Sequence, residues 1–143
     1  MTAGGVVALD LVAEHLLLAR PLPDAVLIPG LLDFHTAWNR GVSFSLLWQD
    51  SRTGGLLLSL ALSAVVAGLA VMAWRTRDWI SACGFGLIIG GAMGNLYDRT
   101  TFHAVFDFLL LHVGPQPLFV CNLADIAITF GALCLIWESL RAV

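Results

Sequence analysis

Apolar positions fall into four long runs along the chain, and polar residues gather in the breaks between them. A bilayer core about 30 Å thick is crossed by about 20 mostly apolar helical residues, and each run approaches that length. The cleanest, Gly55 to Trp74, carries no charge and stops at Arg75-Thr76-Arg77-Asp78. Trp79 to about Tyr97 follows, closed by Asp98-Arg99. The last runs from about Leu118 to Leu140 and contains Asp125 and Glu138, and the first runs from about Thr2 to Ala19 and contains Asp10 and Glu14. The pattern therefore predicts an all-α membrane protein of four transmembrane helices in one integral-membrane domain over 1–143. The first run does not read as a signal peptide, because it lacks a basic start and holds two acids.

Between the first two runs the pattern changes. Arg20 to Gly54 holds Pro21, Pro23, Pro29 and Gly30, then short mixed segments such as Val42-Ser43-Phe44-Ser45-Leu46-Leu47. This predicts turns and short strands outside the hydrocarbon, and Thr100 to Pro117 reads the same way.

Composition narrows the function. Of the 143 residues 59% are hydrophobic and 12% charged, against about 45–50% and 25% in soluble domains. An ordinary soluble enzyme, a disordered chain and a nucleic-acid binder are excluded; a net charge of −3 leaves no basic surface for phosphates. The chain has no Lys. Its three cysteines, Cys83, Cys121 and Cys134, lie far apart and suggest neither a disulfide framework nor a zinc site. By density of Arg the 75–78 turn and both termini read as cytoplasmic, although the total count does not decide.

A charge inside the membrane costs roughly 2.5–3.5 kcal/mol on insertion scales, so the acids within apolar runs are the candidates for chemistry. Gly86, Gly90 and Gly94 mark one helix face open to close approach by another helix. Gly91, Asn95 and Arg99 form a neighbouring ladder, which an interfacial Arg reaching water would also explain. Asn122, Asp125 and Thr129 share one face of the last run, with small Ala124 beside the acid. Asp125 is either paired with Arg99 or works in a wet cleft. Asp107 is an acid between Val105-Phe106 and Phe108-Leu109. A Pro-containing turn between Asp107 and Asp125 can bring the two together. Two close carboxyls share a proton and titrate as a pair, which is the chemistry of aspartic proteases.

These segments resemble bacterial lipoprotein signal peptidase, the signal peptidase II family. Gly90-Gly91-Ala92-Met93-Gly94-Asn95-Leu96-Tyr97-Asp98-Arg99 is similar to the family's GGAxGNxxDR, Val105-Phe106-Asp107-Phe108 to its VVDF, and Asn122-Leu123-Ala124-Asp125 to its NxAD. Asn39-Arg40-Gly41-Val42-Ser43-Phe44-Ser45 is similar to NxGxAFS. The resemblance implies four helices with both termini cytoplasmic, a small extracytoplasmic β-cradle in the first loop, and a bacterial inner-membrane enzyme whose site opens near the outer surface. It implies an aspartic endopeptidase that cleaves just before the diacylglyceryl-modified Cys of a prolipoprotein, without a cofactor or metal. Asp107 and Asp125 would be the dyad. Asn39, Gly41, Asn95, Arg99, Asn122 and Ala124 would line the substrate site, with Asp10 and Asp98 in support. The first run departs from the family's DQxxK: Leu11 replaces Gln and Glu14 replaces Lys. Asp10 and Glu14 repel one helical turn apart, so Glu14 is expected to be neutral or paired with an Arg. Cys121 stands where the family has Phe, and Ile126 where it has Ser.

Other readings stay open. His103, Asp107 and His112 could form a metal site, although loop histidines are mostly solvated. Asp10, Asp107 and Asp125 could instead line the pathway of a small proton or ion transporter, which needs acids at several depths. A divergent homologue could bind lipoproteins without cutting them.

Overall fold

The computed structural model describes residues 2–41 and 52–141. Four helices, α1 (Thr2–Ala19), α2 (Arg52–Arg75), α3 (Trp79–Phe102) and α4 (Leu123–Arg141), stand beside a sheet of β1 (Ala25–Ile28), β2 (Leu32–Asn39), β3 (Val105–Val113) and β4 (Gln116–Cys121). All four helices are long and apolar enough to cross a membrane.

α3 is the central helix and packs against α1, α2 and α4. Its most apolar window is 33% buried, whereas none of the α2 window is. Apart from its contact with α3, α2 leaves its apolar residues exposed, a surface suited to lipid. α3 is capped by Asp78, whose carboxylate accepts the Ser81 N–H at 2.6 Å, the usual way to satisfy an orphan amide of a first turn.

Small residues let the helices close in on α3 from two sides. A Cβ on Gly90 would stand 2.7 Å from the Ala3 carbonyl of α1, and one on Gly84 would stand 3.0 Å from the Gly131 carbonyl of α4. Gly91 lies directly under the Ala124 carbonyl, and Gly94 under the Asp10 carboxylate. The pattern of every fourth residue thus serves α1 through Gly86, Gly90 and Gly94, while Gly84 and Gly91 serve α4.

The strands run in the order β1-β2-β3-β4, each pair antiparallel. β1 and β2 turn through Gly30 (φ 77°) and β3 and β4 through Gly114 (φ 57°), both in the left-handed region that glycine tolerates. β2 pairs with β3, setting Ala37 opposite Asp107 and Asn39 opposite Val105. Phe34, Phe106 and Phe108 form the buried core beneath, packed on Ala13 and Leu17 of α1 and Leu123 of α4. Trp38 covers Phe106 with ring centroids 5.1 Å apart.

Three expectations change. The sheet is not a property of the first loop alone, since β3 and β4 come from the connection between α3 and α4. Leu118 to Cys121 belongs to a strand, and the last helix begins at Leu123. A short apolar run fits either state by periodicity, and pairing with β3 decides it. α3 continues past Tyr97 to Phe102, because Asp98 and Arg99 find partners inside the protein and need not end the helix at the headgroups. The predicted short strand around Val42 to Leu47, and the second half of the Asn39–Ser45 motif, lie outside the described residues.

Gly91→Ala should destabilise the protein by about 1–3 kcal/mol, because its Cβ forces α4 off α3 and backbone cannot yield as a side chain can. Gly68→Ala, with open space around its Cα, should be neutral or stabilising by up to ~1 kcal/mol. Thermal unfolding of both variants in one detergent checks the contrast; equal melting temperatures would refute the close approach.

Candidate active site

The N-terminus of α4 brings one candidate carboxyl into place. Asn122 precedes the helix, and its Oδ1 accepts the Asp125 N–H at 3.0 Å, a capping bond that satisfies one orphan amide. The Ala124 N–H, a second orphan, is taken at 3.0 Å by Asp10 Oδ1 from α1. Asp125 therefore sits in the first turn, where the helix dipole favours negative charge. Its side chain accepts from Asn95 Nδ2 at 2.9 Å. Asn95 Oδ1 in turn accepts from Asn122 Nδ2 at 3.0 Å. Both ends of the fully buried Asn122 are committed to the protein.

Asp107 comes from β3. It is 2% exposed and accepts from Asn39 Nδ2 at 3.1 Å across the β2–β3 pairing. The Asn39 Oδ1 accepts the Gly41 N–H at 2.9 Å, fixing a tight turn after β2. Arg99 clamps that turn by donating to the Gly41 carbonyl at 2.7 Å and to the Asn95 carbonyl of its own helix at 3.0 Å. The guanidinium thus binds carbonyls, and Asp125 is held by Asn95, in place of the direct Asp125–Arg99 pair that the sequence allowed. One residue before Asp107, the Phe106 N–H donates to Asp98 Oδ2 at 2.8 Å.

The two acids sense each other. Burial first, and the charge of Asp125 second, push the Asp107 carboxyl up to about 7. Cys121, where β4 ends, is beside both acids, and burial pushes its thiol up to about 12. It therefore stays a neutral thiol and is no rival nucleophile.

Asn39, Gly41, Asn95, Arg99, Asp107, Asn122 and Asp125 are thus joined in one hydrogen-bonded and electrostatic network, with Ala124 fully buried against Gly91. Asp10 and Asp98 hold backbone amides next to the two acids. His103, Asp107 and His112 are not brought together: His112 Nε2 lies 3.2 Å from Asp33 Oδ1 and its Nδ1 bonds the Gly114 carbonyl. Among the described residues no group of three metal-ligating side chains forms. The sequence reading missed Glu14 as a neighbour of this network. It is 3% exposed and meets Asp98 where a pairing with Arg was one expectation. Its position one turn after Asp10 was the available signal.

The family model for signal peptidase (SPase) II matches residues 2–141. The chain belongs to the signal peptidase II family. A lipoprotein signal peptidase of Methylorubrum extorquens is 47% identical over 76% of this chain, a match spanning 64% of that relative's length. One from Methylobacterium sp. (strain 4-46) is 38% identical over 96% of this chain and 86% of its own. A solved bacterial membrane enzyme shares the fold, with a TM-score of 0.80 at 22% identity, covering 98% of this chain and 85% of that one.

The buried state of Asp107 has a pH signature. Its native carboxyl binds a proton more tightly than the unfolded one, so stability is full below 3.8 and falls as pH rises to about 7. Asp107→Asn removes the group that must ionise and keeps an acceptor for Asn39. Its stability relative to the parent should rise across that window, by a few kcal/mol at most, and stay level above it. Denaturation at several pH values measures this, and a difference that ignores pH would refute the burial argument.

Proposed function

We propose that this signal peptidase II family member is an aspartic endopeptidase that removes the signal peptide from lipid-modified prolipoproteins. The observation carrying the reading is the pair of Asp107, buried, and Asp125, half-buried, which act on one another electrostatically and are each held by an asparagine amide. Such a pair keeps one proton between two carboxyls. The ionised member takes a proton from water as the water attacks the scissile carbonyl, and the protonated member donates to the carbonyl oxygen. The tetrahedral intermediate collapses when the leaving nitrogen receives a proton from the dyad. The substrate is a prolipoprotein bearing diacylglyceryl-Cys, entering from the surrounding lipid, and the reaction needs no cofactor or metal. Asn39, Gly41, Asn95, Arg99, Asn122 and Ala124 shape the substrate site, with Asn122 acting through Asn95 and Asp125.

The transporter reading loses its basis, because Asp10, Asp98, Asp107 and Asp125 influence one another in a single neighbourhood and do not string out across the bundle. We place the sheet as the cradle on the extracytoplasmic side of the bacterial inner membrane. Arg75, Arg77 and Arg141 gather at the opposite end of the helices, with Arg141 close enough to act on Asp78, which fits the positive-inside rule.

Incubation of the purified protein with a diacylglyceryl-modified prolipoprotein should give cleavage before the modified Cys. Asp107→Asn and Asp125→Asn should each lower kcat about 10²–10⁴-fold, the usual worth of a positioned acid or base. A chelator should leave turnover unchanged. Full activity in either variant would reject the dyad, and an intact substrate with the parent would favour binding without cleavage. In the parent, kcat should decline on the alkaline side near pH 7, as the shared proton is lost from a pair in which Asp107 sits at about 7.

A further inference from the structure

Three carboxyls outside the proposed dyad are buried together: Asp10 and Asp98 are 0% exposed and Glu14 3%. Asp10 and Glu14 come from one face of α1, Asp98 from α3. Two of them share a task. Asp10 receives the N–H of Ala124, the residue before Asp125, and Asp98 receives the N–H of Phe106, the residue before Asp107. Each arm of the dyad is therefore tethered through its preceding amide to the same acidic cluster.

The remaining oxygens pose a problem. Asp10 Oδ2, Asp98 Oδ1 and Glu14 Oε1 are buried and have no N–H or hydroxyl donor. Glu14 and Asp98 lie within side-chain hydrogen-bond reach of each other. Ionised carboxylates only accept, so their contact requires a proton. Asp98 already accepts a backbone N–H and has the Arg99 charge nearby, both of which suit its ionised form. Glu14 faces Asp10 on its own helix, Asp98 on α3 and Asp107 on β3, all acids. The proton therefore belongs on Glu14. Glu14 also lines a cavity of about 360 Å³ with His15, Leu11 and Tyr97, between α1 and α3.

We propose that Glu14 is a positioning residue: as a neutral acid it donates to Asp98, and so lets Asp98 and Asp10 keep the Phe106 and Ala124 amides in place on either side of the dyad. The proposal rests on the reading of Asp107 and Asp125 as that dyad, but its tether can be measured without any turnover.

Only two glutamates occur, Glu14 and Glu138, which makes isotope labelling selective. With carbon-13 glutamate, infrared spectra at neutral pH should show a protonated-carboxyl band that shifts with the label and disappears in Glu14→Gln. Glu14→Leu keeps bulk and removes the donor. Hydrogen exchange at the Phe106 and Ala124 amides should then speed up roughly tenfold, the scale of one lost hydrogen bond, while Glu14→Gln, whose amide can donate to Asp98, keeps them slow. In the cleavage assay Glu14→Leu should lower kcat with little change in KM, and Glu14→Gln should recover most of the loss. A label that moves only ionised-carboxylate bands overturns the proposal, and so does undisturbed exchange in Glu14→Leu. If Glu14→Leu does not fold, the infrared result with Glu14→Gln still decides. Absence of cleavage by the parent would count against the peptidase reading alone, since the infrared and exchange results judge the tether independently.

Discussion

Carboxyl groups crowded together and largely shielded from solvent are the constraint on which this structure depends. Five of them, Asp10, Glu14, Asp98, Asp107 and Asp125, act on one another at one end of the bundle. An unpaired buried charge is costly, so every segment around them supplies relief. Backbone amides come from β3 and from the start of α4 and side-chain amides from Asn39 and Asn95, while Arg99, whose own hydrogen bonds go to carbonyls, contributes its nearby positive charge. None of these donors works unless its element approaches closely, which is why the helix seam is lined with glycine. Gly94 leaves room for the Asp10 carboxylate itself, and Gly91 for the carbonyl of Ala124.

The sheet answers the same constraint from outside the bundle. β2 lies along one edge of β3 at Asp107, opposite Ala37, while β4 covers the other edge from Leu109 onward; the Asp107 side chain turns to Asn39. The turn that follows Asn39 is then pinned by Arg99. The geometry of the candidate site and the stability of the fold thus draw on the same hydrogen bonds, and removing one partner leaves another polar group buried without its mate.

Much of this was legible in the sequence, because a charge in an apolar run stands out. Asp10, Asn95, Asp98, Arg99, Asp107, Asn122 and Asp125 could be picked out from their letters, and the structure brings them into one neighbourhood, the candidate site. What their letters could not convey was the partner. Asp10 and Asp98 serve main-chain amides, which look the same at every position, and Arg99 serves carbonyls. The strand over Leu118 to Cys121 was hidden because an apolar run there suits either a helix or a strand, and only the distant pairing partner β3 distinguishes them. Glu14 was singled out as an oddity of sign, yet its neighbour Asp98 lies on another helix.

The bonds that complete the site are long in sequence. Asn39 reaches Asp107 across 68 positions and Asp10 reaches Ala124 across 114. Loops of that size must close before such contacts contribute anything. A ribosome-bound chain that has released α1 and α2 into the membrane has neither acid of the pair, and one that ends within β3 has Asp107 without its counterpart. The proposed pair of acids is therefore completed only when α4 has been made, after every other element that surrounds it.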